Sequence, residues 1–233
     1  MEIIFNEDLD SLNDHPVSGA IAVTGDTTLN RRWAETTVLP LIRFGAKGDG
    51  SNGICSVFSD ESTLVGRAVR ELCRAGHRRI ALFLRRSRDK DDTLAENVSE
   101  PFRRAMKKYL PGEKEILISY GGKDSSPVQR LDLLLEKKIT ALIVIPGDTA
   151  LELCAGIRRR NLKIPDDISV VGFDGIELGD YMFPRITTMV QPRHEMALES
   201  VRIVSGLISG EEDISDAVFE TELLTRDSVR KLN

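Results

Sequence analysis

The sequence predicts an α/β protein built on doubly wound parallel sheets, and three observations carry that prediction. Short apolar, β-branched runs alternate with amphipathic stretches along the whole 233-residue chain, the pattern of repeated strand–helix units. Two of the runs, ALIVI (residues 141–145) and ISVVGF (residues 168–173), are apolar without alternation, as strands covered on both faces are. The stretches between the runs place apolar residues at helical spacing and end in glycine or in basic residues.

Predicted strands fall at residues 2–5, 18–24, 39–44, 54–58, 80–84, 115–119, 140–145 and 168–173, with a late one near 218–224. The first helix starts after Asp60: Leu64, Val65, Ala68, Val69, Leu72 and Cys73 share one face, and Gly76 is its stop. A second carries Val98, Phe102, Ala105, Met106 and Tyr109 and ends at Pro111-Gly112. A third opens at Ser125-Ser126, with Pro127 in a first turn where its missing N–H costs nothing. A fourth runs from Asp148 through Leu151, Cys154 and Ile157 to the basic run 158–160, whose charge suits a helix C-terminus. A fifth spans residues 193–209 and stops at Gly210. The charge run RRSRDKDD (residues 85–92) reads as a solvated loop.

Composition narrows the function. Hydrophobic residues are 41% and charged residues 30% of the chain, which is ordinary for a globular protein. A net charge of −5 gives this chain alone no electrostatic grip on nucleic acid or an anionic membrane. Three well-separated cysteines (Cys55, Cys73, Cys154) make neither a zinc pattern nor a disulfide framework, and a reducing cytoplasm is expected. No run approaches the roughly 20 apolar residues that span a bilayer, and the first residues lack the basic and apolar regions of a secretory leader.

Gly48–Gly53 (GDGSNG) matches GxGxxG literally, but a strand follows it where a dinucleotide site needs a helix N-terminus, so it reads as a loop. No phosphate loop, nucleophile elbow or HExxH is present, and His15, His77 and His194 lie on unrelated elements. His77, just past a helix-ending glycine, is expected to serve as a cap or to lie on the surface. Neither an enzyme nor a cofactor is expected.

Ligands of open parallel sheets bind beyond the carboxyl ends of the strands. Three successive predicted strands end there in residues suited to a polyol: Tyr120, Pro146-Gly147-Asp148 and Asp174-Gly175. An aromatic face packs on the C–H face of a sugar, and carboxylates accept from paired hydroxyls. Structural alternatives stand beside each: Asp148 and Asp60 as helix N-caps, Tyr120 as a seal on the core. Asp174 has no evident capping role and is the foremost candidate.

The chain resembles the effector-binding domain of LacI/GalR-type bacterial transcription regulators, which have a type I periplasmic-binding-protein-like fold. The matching pieces, in order, are PVSGAIAV (16–23), LPLIRF (39–44), VFSDESTLVGRAVRELCRAGHRRIALF (57–83), TALIVIPGD (140–148), IPDDISVVGFD (164–174), PRITTMVQP (184–192) and LLTRDSV (223–229). The resemblance implies two doubly wound lobes joined by three crossovers, near residues 84–87, 189–191 and 216–218, with a ligand cleft between the lobes. Residues 1–85 with 190–215 are expected to form the first lobe, lacking its first strand–helix unit. Residues 86–189 with 216–233 are expected to form the second.

By position, the resemblance makes Asp174 and Asp148 contacts to effector hydroxyls, Tyr120 the stacking aromatic, Gln191 a cleft-edge residue and Asp60 the acidic residue opening a helix of the first lobe. It further implies a homodimer, a sugar or related polyol as effector, and DNA contact only through a module absent from this chain. The alternative is a periplasmic sugar-binding protein of a transport system. Two positions depart from the family. Val98 stands where an arginine usually grips sugar hydroxyls, and Gly147 stands where an asparagine usually precedes Asp148.

Overall fold

A computed structural model describes residues 17–23, 39–45, 47, 54–85, 93–121, 126–173, 177–212 and 214–232. Its elements are β1 (Ala20–Ala22), β2 (Leu41–Phe44), β3 (Cys55–Ser59), α1 (Glu61–Arg74), β4 (Ile80–Arg85), α2 (Thr93–Tyr109), β5 (Ile116–Tyr120), α3 (Leu131–Glu136), β6 (Ala141–Ile145), α4 (Gly147–Arg159), β7 (Ser169–Phe173), β8 (Thr187–Val190), α5 (Arg193–Ile208), β9 (Ala217–Phe219) and β10 (Glu222–Leu224). The expected strand at residues 2–5, the GDGSNG glycines and most of the RRSRDKDD run lie outside the described residues.

The chain forms two compact units, Met1–Asp60 with Pro192–Glu220, and Glu61–Gln191 with Thr221–Asn233. The first unit holds a four-stranded sheet in the order β1-β2-β3-β9, all parallel. Met196 and Ile203 of α5 pack on it against Ile42, Cys55 and Val57. Asp216 secures β3 by accepting from the Ser56 amide at 2.8 Å.

The second unit holds a six-stranded sheet, β10-β8-β7-β6-β4-β5, parallel except for β10. Strand periodicity divides its core between two faces. Leu82, Leu84, Ala141, Ile143 and Ile145 meet α1 and α2 through Leu64, Val65, Ala68, Val98, Phe102 and Met106. Ala81, Phe83, Leu142 and Val144 meet α3 and α4 through Leu131, Leu134, Leu153 and Ile157. β6 and β7 are buried along their full length, as unbroken apolar runs require. Each large apolar side chain sealed this way contributes roughly 1.5–3 kcal/mol.

These boundaries differ from the expected lobes. Residues 61–85 belong with the second unit, because β4 is hydrogen-bonded between β5 and β6 and α1 packs on α2 and that sheet. The chain passes between units at 60–61, 191–192 and 220–221. The late apolar run is likewise two strands, β9 in one sheet and β10 in the other.

Local chemistry explains the element ends. Ser126 caps the third helical segment by accepting from the Val128 amide, with Gln129 completing the capping box and Pro127 in the first turn. That segment starts with one tight 3₁₀ turn before α3. At the end of α1 the His77 amide donates to Leu72 and the Gly76 amide to Cys73. This is the paired closure that needs a left-handed residue, and Gly76 has φ +91°.

The family-like motifs turn out to be knots of the second unit. His77 is buried, its Nδ1 3.1 Å from Thr140 Oγ1 and its Nε2 3.1 Å from the Arg230 carbonyl. Of the two roles expected for it, the surface one is therefore corrected. Its backbone completes the helix closure, and its ring holds the last residues of the chain. Ser228, also buried, donates to Val170 O at 2.6 Å and accepts from the Thr187 amide at 2.8 Å. Arg226 clamps Asp180 at 2.7 Å and donates to Ile186 O at 2.8 Å. In IPDD, Asp167 accepts from the Lys163 amide at 2.7 Å and closes a turn.

Candidate functional site

The carboxyl ends of β4, β5 and β6 bring Arg85, Tyr120 and Asp148 together on the second unit. β4 and β5 are in register so that Arg85 stands beside Tyr120, and β4 pairs with β6 on its other side. Asp148 is the second residue of α4, and Pro146 takes the N-cap position. The N-cap alternative for Asp148 is thus set aside. Its carboxylate sits in the first turn of α4, where the helix dipole favours negative charge.

Asp148 Oδ1 accepts from the Thr149 amide at 2.6 Å and from Thr149 Oγ1 at 3.2 Å. Its Oδ2 accepts from Arg85 Nη1 at 3.0 Å. Both partners of the pair are more than half exposed, with side chains 51% and 66% accessible. The Tyr120 hydroxyl bonds to Thr149 Oγ1. An ionised carboxylate only accepts, so Thr149 donates to Asp148, and Tyr120 in turn donates to Thr149. The result is one proton-ordered chain from Tyr120 through Thr149 and Asp148 to Arg85.

Tyr120 is only 7% exposed, and its ring stacks on Phe83 with centroids 5.3 Å apart. Burial pushes its hydroxyl above the ordinary phenol value, partly offset by the Arg85 charge. The ring belongs to the core under the edge, in line with the sealing alternative, and its polar end reaches the edge.

The remaining predicted site residues are more scattered. Asp174 lies outside the described residues, immediately after Phe173, the last residue of β7. Gln191 is half-buried after β8, at the passage to the first unit. Asp60 is exposed and precedes α1, at another passage. Val98 is fully buried among Leu64, Leu82 and Phe102, so this position serves the core. Arg85 was not a predicted site residue. The signal for it was faint: the first member of a charge run that directly follows an apolar strand.

A separate cavity of about 570 Å³ opens at the opposite, amino-terminal ends of β4 and β5, lined in part by Arg78, Arg79, Lys114 and Lys137. None of the predicted site residues lines it. Among the described residues, no group of three His, Cys, Asp or Glu is placed to hold a metal ion. Among the same residues, no helix is long and apolar enough to cross a membrane.

The model of the periplasmic binding protein-like domain matches residues 69–229. The transcriptional repressor PurR of Vibrio campbellii is 38% identical over 101 residues, covering 42% of this chain and 30% of that protein. The arabinose metabolism transcriptional repressor of Geobacillus stearothermophilus is 29% identical over 170 residues, covering 69% of this chain and 46% of the repressor. An HTH-type transcriptional regulator of Streptomyces limosus is 30% identical over 239 residues, covering 96% of this chain and 66% of the regulator. The chain thus spans between 30% and 66% of these relatives' lengths. In fold, the chain matches a LacI-family transcriptional regulator from Enterococcus faecium, solved with ribose, at a TM-score of 0.84 and 23% identity, covering 97% of this chain and 85% of the other.

Proposed function

Because the chain belongs to the family of periplasmic binding protein-like domains, we propose that it is the effector-sensing part of a bacterial transcriptional regulator and works in the cytoplasm. The observation that carries this reading is the polar chain Tyr120–Thr149–Asp148–Arg85 at the carboxyl edge of the second unit's sheet. An edge of this kind, with fixed acceptors and a charged donor above an apolar floor, suits a small polyol. The relatives are regulators by name, and one structure of the same fold was solved with a sugar. Both support a regulator's sensor over a transport protein or an enzyme.

The effector is held by Asp148, by Tyr120 at the floor, and by Asp174 at the end of the neighbouring strand. Gln191 and Asp60 keep, as proposals, the cleft-edge and helix-opening roles that the resemblance implies. Operator binding belongs to the part of the relatives that this chain does not span, and the net charge of −5 accords with that division. The effector controls that binding only through different affinities for the operator-competent and operator-incompetent states. A second copy of the chain pairs with the first, and the exposed Tyr181 and Phe183, 87% and 88% accessible, offer apolar surface to it.

Thermal unfolding with pentoses, hexoses, nucleotides and nicotinamide cofactors tests this reading. A neutral sugar should raise the melting temperature, with a gain of roughly 2.7 kcal/mol at a hundredfold excess over Kd. Asp174→Ala should abolish the rise. Protection by a cofactor and by no sugar would overturn the sensor reading. An undiminished rise in Asp174→Ala would remove Asp174 from the site.

A further inference from the structure

We propose that Arg85 is the effector-gripping cation of this site, buttressed by Asp148 and aimed at the vicinal diol of an uncharged sugar. The inference rests on the sensor reading and adds to it a residue and that residue's role.

A guanidinium carries five N–H donors in a planar fork. Among the described residues, one of them is engaged, by Asp148 Oδ2 at 3.0 Å. The carboxylate beside it is more heavily committed: Oδ1 takes two bonds from Thr149 and Oδ2 takes the one from Arg85. Asp148 therefore acts chiefly as a positioning residue, orienting a guanidinium that makes no other bond among the described residues. The half-exposed Arg85 side chain stands at the carboxyl end of its strand, where ligands of parallel sheets bind.

One further observation points the same way. The local charge also selects the ligand, since Arg85 and Asp148 cancel and leave little net attraction for an anion. A phosphate or carboxylate drawn to the guanidinium would also face the Asp148 carboxylate. A sugar hydroxyl has no such conflict: it accepts from Arg85 and donates to the lone pair left on Asp148.

Calorimetric titration tests the assignment on the whole chain. D-ribose, L-arabinose, D-glucose and D-galactose are first ranked by thermal shift on the unsubstituted protein. The one with the largest shift is then titrated into that protein, Arg85→Met, Arg85→Lys and Asp148→Asn, alongside its phosphate ester. Arg85→Met should weaken the sugar tenfold or more, and Arg85→Lys should recover part of that loss. The phosphate ester should bind no more tightly than the parent sugar. Melting curves without ligand control for folding, and a half-exposed residue should leave them nearly unchanged. Sugar affinity within twofold of the original in Arg85→Met, or an ester bound tenfold more tightly, would overturn the proposal while leaving the sensor reading intact. If none of the four sugars protects the unsubstituted chain, the sugar-sensor reading fails and this inference fails with it.

Discussion

His77 Nε2 lies 3.1 Å from the carbonyl oxygen of Arg230, so the turn that ends α1 also fastens the last residues of the chain. A carbonyl only accepts, so Nε2 carries the proton, and Nδ1 lies 3.1 Å from the Thr140 hydroxyl, whose single proton is shared between the ring and the Arg79 carbonyl 3.3 Å away. His77→Ala leaves both partners without the ring and should cost about 1–3 kcal/mol in urea unfolding. The same arrangement makes stability depend on pH. Burial holds the imidazole below its ordinary pKa, outweighing the bond to the Arg230 carbonyl, which acts the other way. Below about pH 6.5 the unfolded chain therefore binds a proton that the folded one resists, and stability falls with falling pH until the folded value is passed. Between pH 7.5 and 5.5 the native protein should lose more stability than His77→Gln. Equal losses would show that the ring does not titrate in this way.

Gly76 should be intolerant of a side chain for two separate reasons. Its φ of +91° is strained for any L-residue, and a Cβ there would stand 2.6 Å from the backbone oxygen of Leu232. Gly76→Ala should cost about 2–4 kcal/mol, more than the left-handed backbone alone explains, because a backbone atom has to move. Lys138 is the converse case, a non-glycine at φ +51° closing α3 by the same pair of bonds. Lys138→Gly should stabilise the protein by about 0.5–1 kcal/mol. Denaturation midpoints that move the other way would refute the assignment of strain.

Cys154 should be chemically silent in the folded protein. Burial in the core between α4 and the sheet pushes its thiol up to about 12, despite the nearby Arg158 charge. At pH 8 the reactive thiolate is then about one part in ten thousand, too little for a disulfide reagent to find. Cys73 is half-buried, its thiol 3.4 Å from the Tyr109 carbonyl. Timed labelling with mass-spectrometric readout should modify Cys73 first and Cys154 only on unfolding. Prompt labelling of Cys154 would contradict the packing described for α4.

By itself the sequence determined the fold class, most of the strands and helix stops, and the edge at which a ligand would sit. Those properties depend on local periodicity, on caps and glycines, and on the rule that ligands bind beyond the ends of parallel strands. ALIVI and ISVVGF needed no partner to read as doubly covered strands, and Ser126-Pro127 needed none to read as a helix start. β8 was missed as a strand, because its two threonines interrupt the apolar run while their hydroxyls are sealed inside, with Thr187 accepting from the Arg226 amide at 3.0 Å. Only the tertiary structure decided which unit owns residues 61–85, because ownership follows from strand pairing across long separations that composition does not record. It also placed the His77 ring in a buried tie and not on the surface, and set the two β-like halves of residues 217–224 in different sheets. The pairing of Arg85 with Asp148, 63 positions apart, belongs to the same class. A charge run reads as solvated loop until the ends of two adjacent strands bring one of its arginines against a carboxylate.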